Sequence, residues 1–117
     1  MAGVNKTFLC GNLTADPEVK VLANGMYIAN FRMATNTYAG KDEAGNPKEA
    51  VTFHNVVLFG KRAEVLGQFL SKGTLVWVEG RIKNDDWTDK EGQKHYRTEI
   101  QADDIQLLGP KKSAAAA

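Results

Sequence analysis

Apolar and polar residues alternate along most of the chain, and short clusters of Gly, Asn, Asp and Pro interrupt the alternation. A period of two marks a half-buried strand, because successive side chains point to opposite faces. Lys6 to Leu13 alternates weakly and runs into the turn-prone Asn12, Asp16 and Pro17. Glu18 to Leu22 and Met26 to Thr35 flank Ala23-Asn24-Gly25. Asn-Gly between apolar runs predicts a hairpin, since both residues tolerate positive φ. Tyr38 to Glu49 is polar, with Gly40, Gly45, Asn46 and Pro47, and reads as a long hairpin loop. Val51 to Phe59 is the next strand. The period then changes: Val65, Leu66, Phe69 and Leu70, with Ala63 nearby, recur at helical spacing over Lys61 to Leu70. Gly73 is expected to stop that helix. Thr74 to Lys83, His95 to Gln101 and Ile105 to Leu108 return to strand, with a turn at Lys90-Glu91-Gly92-Gln93. Gly109-Pro110 closes the pattern, so residues 1–110 are expected to form one domain and residues 111–117 a short disordered tail.

About five strands, with one helix between the third and fourth, predict an all-β chain. The order matches the OB-fold, a five-stranded Greek-key barrel. That architecture takes oligonucleotides and oligosaccharides alike, so the fold alone names no ligand.

Residue parity on the Val51 strand is more informative. Thr52, His54, Val56 and Leu58 share one face and suit a core. Phe53, Asn55, Val57 and Phe59 share the other, with a flat ring towards each end and a polar gap between. Left open, such a row suits a flat ligand, and unstacked nucleic-acid bases are the commonest of these. The plain alternative is a strand buried on both faces, as inside a sandwich.

Composition bounds these readings. A chain of 117 residues fits one domain with one core. It has no apolar run long enough to cross a membrane as a helix, and Met1 to Lys6 lacks an apolar signal segment, so export is not expected. The lone Cys10, between Leu9 and Gly11, excludes an internal disulfide framework and reads as a packed strand thiol in a reducing compartment. Net charge is +1, and without Lys111 and Lys112 the chain has 13 basic and 14 acidic residues. Global charge therefore gives a nucleic-acid partner no support, and only a local basic track could.

An ordered set of short motifs spans Gly3 to about Gly109. It comprises Gly3-Val4-Asn5-Lys6, Gly11-Asn12-Leu13, Asp16-Pro17-Glu18, Asn24-Gly25, Ala29-Asn30-Phe31 and Ala34-Thr35. It continues through Phe53-His54-Asn55-Val56-Val57-Leu58-Phe59-Gly60-Lys61, Ala63-Glu64-Val65, Lys72-Gly73, Val78-Glu79-Gly80, Trp87-Thr88-Asp89 and Gly92. In order and spacing these resemble the bacterial-type single-stranded DNA-binding proteins. The resemblance implies an OB-fold binder, not an enzyme, that coats exposed strands in replication, recombination and repair without a cofactor. It implies aromatic platforms for bases at Tyr38, Phe53, Phe59 and Trp87. Basic residues would track phosphates, and Lys6, Arg32, Lys61, Lys72, Arg81 and Lys83 are the candidates because they lie on or beside strands and helix ends. His54, Trp77 and Glu79 fall where the family forms subunit contacts, so a homotetramer is expected, in the bacterial cytoplasm beside the nucleoid or encoded by a virus or plasmid of a bacterial host.

This chain departs from the family pattern at several points. Members often carry Trp where Tyr38 and Phe53 stand, and basic residues at Asn55 and just before the hairpin Trp. Here Asn84, Asp85 and Asp86 precede Trp87, and two carboxylates repel phosphate. Members also end in a long tail with an acidic, apolar tip that recruits other enzymes. No carboxylate follows Asp104 and no aromatic follows Tyr96, so recruitment through such a tip is not expected from this chain. Other classes give weaker readings. A hydrolase on the same barrel would need clustered carboxylates with a base or metal, and His54 and His95 are the only histidines. Asp85, Asp86, Asp89 and Glu91 lack the alternation of a Ca²⁺ loop and read as a solvated turn. A protein-interaction barrel without DNA affinity remains the main alternative.

Overall fold

The computed structural model describes residues 2–109, so Pro110 and the expected tail at 111–117 lie outside the described residues. The described elements run β1 (Thr7–Leu13), β2 (Glu18–Val21), β3 (Tyr27–Lys41), β4 (Pro47–Phe59), α1 (Lys61–Gly67), β5 (Leu75–Thr88) and β6 (Lys94–Gly109). Strand order is β1-β5-β6-β4-β3-β2, and β1 also pairs with β3. That last pairing, Asn12 to Ala34 and Leu13 to Met33, closes β1, β3, β4, β5 and β6 into a five-stranded barrel. The short β2 is a flap on β3. Counted among the barrel strands, the helix lies between the third and fourth, as the OB-fold expectation requires.

Closure depends on two glycines. A Cβ at Gly11 would sit 2.1 Å from the Ala34 carbonyl oxygen, and one at Gly80 would sit 2.3 Å from that of Gln101. Any side chain at either point would push neighbouring strands apart. Inside, Leu13, Phe31, Met33, Val56, Leu58, Val76, Val78, Ile100 and Ile105 form the buried core. Met33 is fully enclosed, so truncating it to alanine should cost about 2–5 kcal/mol.

Several sequence expectations change. Tyr38 to Glu49 is not a long loop: β3 runs to Lys41 and β4 starts at Pro47, leaving a turn at Asp42–Asn46. The segment looked like a loop because both strands leave the barrel there as a two-stranded ribbon, with no buried face to impose apolar alternation. The β5–β6 pair does the same beyond Ile82, with Thr88 opposite Lys94 at its tip. β6 is one strand from Lys94 to Gly109, bent by register shifts rather than split. The turn at Asn24-Gly25 has positive φ only at Gly25, 84°, and Leu22 N–H donates to Met26 O. It is a turn closed by a left-handed glycine, not one with both central residues left-handed.

The helix ends at Gly67, a turn earlier than Gly73 implied, with the Gln68 backbone still in helical conformation. Gly73, at φ 92°, instead shapes the entry to β5 and donates to Leu13 O. Ala63 and Leu70 are buried, whereas Val65 and Phe69 are exposed. Seven helical residues cannot carry the full apolar stripe to the core. Cys10 is exposed rather than packed, because it shares the outward parity of Phe8 on β1.

Candidate nucleic-acid interface

Strand parity fixes which side of the sheet each candidate occupies. Along β4, Val56 and Leu58 point into the core, so Phe53, Asn55, Val57 and Phe59 point outward. On β3 the buried Ala29, Phe31 and Met33 leave Arg32, Ala34 and Tyr38 outward. β4 pairs with β6 in parallel through Val56–Ile100 and Val57–Gln101, and β6 pairs with β5 through Gln101–Arg81. Continuing along β5 in steps of two gives Lys83, Asp85 and Trp87 on that same side. One outward surface of β3-β4-β6-β5 thus carries all four aromatic candidates. Tyr38 is 63% exposed, Phe53 52%, Phe59 36% and Trp87 50%.

Two large rings half open to water, one about a third open and one more than half open are not filling a core. The plain alternative for the Val51 strand holds only at Val57. That residue points outward but is 2% exposed, between Asn30 on β3 and Gln101 on β6. It is the apolar floor between Phe53 and Phe59.

Two platforms already touch a side chain. The Arg32 guanidinium lies over the Phe53 ring, 4.5 Å from its centroid. The His95 imidazole lies along Trp87, with centroids 5.4 Å apart and planes at 20°. Neither contact was identified from the sequence, although Arg32 was among the phosphate candidates. His95 could have been found by counting back from the Asp89–Gln93 turn, which sets it opposite Trp87. Tyr96, highly exposed opposite Asp86 on the ribbon's other face, was also missed.

The cation candidates separate into groups. Lys61 follows Phe59 and Gly60 at the start of α1. Lys83 lies on the ribbon opposite Glu99. Lys72 sits in the approach to β5, where its backbone N–H donates to Asp16 Oδ1 at 2.8 Å. Among the described residues no carboxylate approaches the side-chain nitrogens of these three lysines or Arg32 within 4 Å. Arg81 instead pairs with Asp103 at 3.3 Å. Lys6 lies 3.8 Å from Glu79 and near the Phe8 ring, in the β1–β5 cluster described below.

The acidic residues before Trp87 diverge as well. Asp85 shares the Trp87 face, opposite Arg97, whereas Asp86 points the other way, opposite Tyr96. Glu99 completes the Asp85–Arg97 group, with Arg97 Nε 3.6 Å away. Burial, with help from Asp85, pushes the Glu99 carboxyl above its ordinary value, against the pull of Arg97 and Lys83.

The expected contact residues divide in two. Trp77 and Glu79 are outward neighbours on β5, with Trp77 Nε1 donating to Glu79 Oε1 at 3.2 Å. Phe8 across on β1 meets Trp77 at 5.9 Å between centroids, and Cys10 faces Trp77 in register. His54 has the opposite parity on β4 and hydrogen-bonds the Thr35 hydroxyl at 2.9 Å. Burial pushes its imidazole below the ordinary value. Among the described residues no group of His, Cys, Asp and Glu is arranged to hold a metal ion.

Comparison with known proteins gives concordant matches. Residues 4–108 match the model of the family described as the single-strand binding protein family. The chain is 45% identical over 113 residues to single-stranded DNA-binding protein 1 of Xylella fastidiosa strain 9a5c, covering 96% of this chain and 82% of that protein. Its fold superimposes on a Plasmodium falciparum SSB in complex with ssDNA with a TM-score of 0.82 at 26% identity, covering 93% of this chain and 98% of that one. A deletion mutant of the Thermus aquaticus single-stranded DNA binding protein gives a TM-score of 0.78 at 36% identity over 92% of this chain, which spans 51% of that longer chain.

Proposed function

The chain belongs to the single-strand binding protein family, and from that premise we propose that it coats exposed single-stranded DNA in replication, recombination and repair. Bases stack on Tyr38, Phe53, Phe59 and Trp87, while Arg32, Lys61, Lys72 and Lys83 neutralise phosphates. The observation that carries this reading is the placing of four exposed aromatic side chains on one outward surface of β3-β4-β6-β5. Stacking suits any base, because each has a π-face, and gives about 1–3 kcal/mol per base. Phosphate contacts add a sequence-independent term through counterion release. The chain acts by binding, with no chemistry and no cofactor. A protein-interaction barrel without DNA affinity is disfavoured by family membership.

The reading includes assembly. Phe8, Trp77 and Glu79 form an exposed patch beside Cys10, and such a patch suits self-association about a two-fold axis. His54 contributes from the opposite face of β4. Joined barrels give DNA a longer path than one barrel provides, and a homotetramer is the assembly proposed. Its place of action is the bacterial cytoplasm, whether the gene is chromosomal or carried by a virus or plasmid.

Titration with oligo(dT) while following tryptophan emission tests the function. A saturable change, absent with duplex DNA of equal length at moderate salt, is expected. A protein that gives no saturable change with oligo(dT) is not a single-strand binder.

A further inference from the structure

The tip of the β5–β6 ribbon contains a chain of contacts that turn closure does not require. Asp42 and Asp89 close similar turns. In each, the Asp N–H donates to the carbonyl four residues on, the glycine N–H three residues on donates back, and Oδ1 accepts the N–H of the fourth residue. Oδ1 of Asp89 also accepts the Glu91 N–H at 2.9 Å. The second oxygen of Asp89 is therefore surplus to the turn, and it lies 2.7 Å from His95 Nε2. A carboxylate only accepts, so Nε2 is the donor. With that nitrogen held, the imidazole plane lies along the indole of Trp87.

We propose that His95 is a positioning residue for Trp87, closing one face of the indole so that a base meets only the other. The inference rests on the reading of Trp87 as a stacking platform. Turn, Asp89, His95 and Trp87 form a relay in which the rigid backbone sets the angle of the ring. A tryptophan on an exposed ribbon otherwise samples several rotamers, and ordering it on binding lowers affinity. Preorganising one side chain is worth about 2- to 10-fold in affinity. The first ribbon lacks this arrangement, as Asp42 closes its turn with no histidine beside Tyr38.

Full-length His95→Ala, His95→Phe, Asp89→Ser, Trp87→Ala and the His95→Ala/Trp87→Ala double variant separate the outcomes. Asp89→Ser keeps one oxygen for the turn and removes the arm to His95. Oligo(dT) affinity is read together with the Trp87 indole resonances in the free protein, identified by their loss in Trp87→Ala. In wild type those resonances should show the upfield ring-current shift of a stacked imidazole. His95→Ala should remove the shift and weaken binding about 2- to 10-fold. His95→Phe keeps a ring for the indole but lacks the hydrogen bond to Asp89, so it and Asp89→Ser should both fall between wild type and His95→Ala. The double variant should bind no worse than Trp87→Ala. Wild-type affinity in His95→Ala beside an impaired Trp87→Ala overturns the positioning role alone. Unimpaired binding by Trp87→Ala overturns the platform and the positioning role together. A further loss in the double variant means that His95 meets DNA itself and also overturns the proposal.

Discussion

The guanidinium of Arg32 covers the Phe53 ring at 4.5 Å, with Arg32 and Phe53 on adjacent strands of one outward surface. The contact is a cation–π pair at a half-exposed site, worth about 0.5–1 kcal/mol. On the proposed reading a base stacking on that face of Phe53 displaces Arg32 and frees its guanidinium for a phosphate. Arg32→Met keeps an unbranched stem and removes the charge. It should weaken oligo(dT) binding and reduce the slope of log affinity against log salt by about 0.7, one phosphate on a single strand. Affinities measured at four salt concentrations check this, and an unchanged slope would remove Arg32 from the phosphate track.

Trp87→Ala and Phe59→Ala test the platforms at the two ends of the β4–β6–β5 surface. Each should weaken oligo(dT) binding by about 1–3 kcal/mol. Neither ring belongs to the core cluster, so the thermal midpoint should stay close to wild type. Unchanged affinity in both variants would contradict the assignment.

Asp85 and Asp86 should behave differently despite being neighbours. Asp85 shares the Trp87 face and Asp86 does not. Asp85→Lys should tighten binding at low salt and steepen the salt dependence, whereas Asp86→Lys should have a much smaller effect. Equal effects would mean that DNA passes both faces of the ribbon.

Assembly can be probed without touching the core. Phe8 is exposed and Trp77 partly so in the single chain. Phe8→Ser and Trp77→Ala should lower the molar mass seen by light scattering at micromolar concentration, while the circular dichroism of the strands persists. A wild-type protein that stays monomeric there would reject the tetramer.

Much of the barrel was legible because strand parity puts Val56 and Leu58, and Val76 and Val78, on one face of Val51–Phe59 and Thr74–Lys83, and those faces are the core. The ribbons were not. Beyond Thr37 on β3 and Ile82 on β5 neither face is buried, so Tyr38 to Glu49 has the composition of a loop while pairing as strand. Phe69 misled for a related reason: helical spacing predicts a buried face only if the helix continues, and α1 stops at Gly67. Phe53 and Phe59 could be assigned to one face by counting. Whether that face was open depended on what the rest of the chain packed against it, and strand counting does not supply that. The contacts of Arg32 and His95 arise from cross-strand register, which becomes countable only once the turns are located.

The central claim is that bases, not only phosphates, hold the strand. Binding to oligo(dT) and to an abasic oligonucleotide of equal length, in the same buffer at moderate salt, tests it directly. With several platforms engaged at about 1–3 kcal/mol per base, the abasic strand should bind at least 100-fold more weakly, by order-of-magnitude estimate, with a similar salt slope. Equal affinity for the two strands would contradict the account, and would leave the exposed rings of Tyr38, Phe53, Phe59 and Trp87 without the role assigned to them.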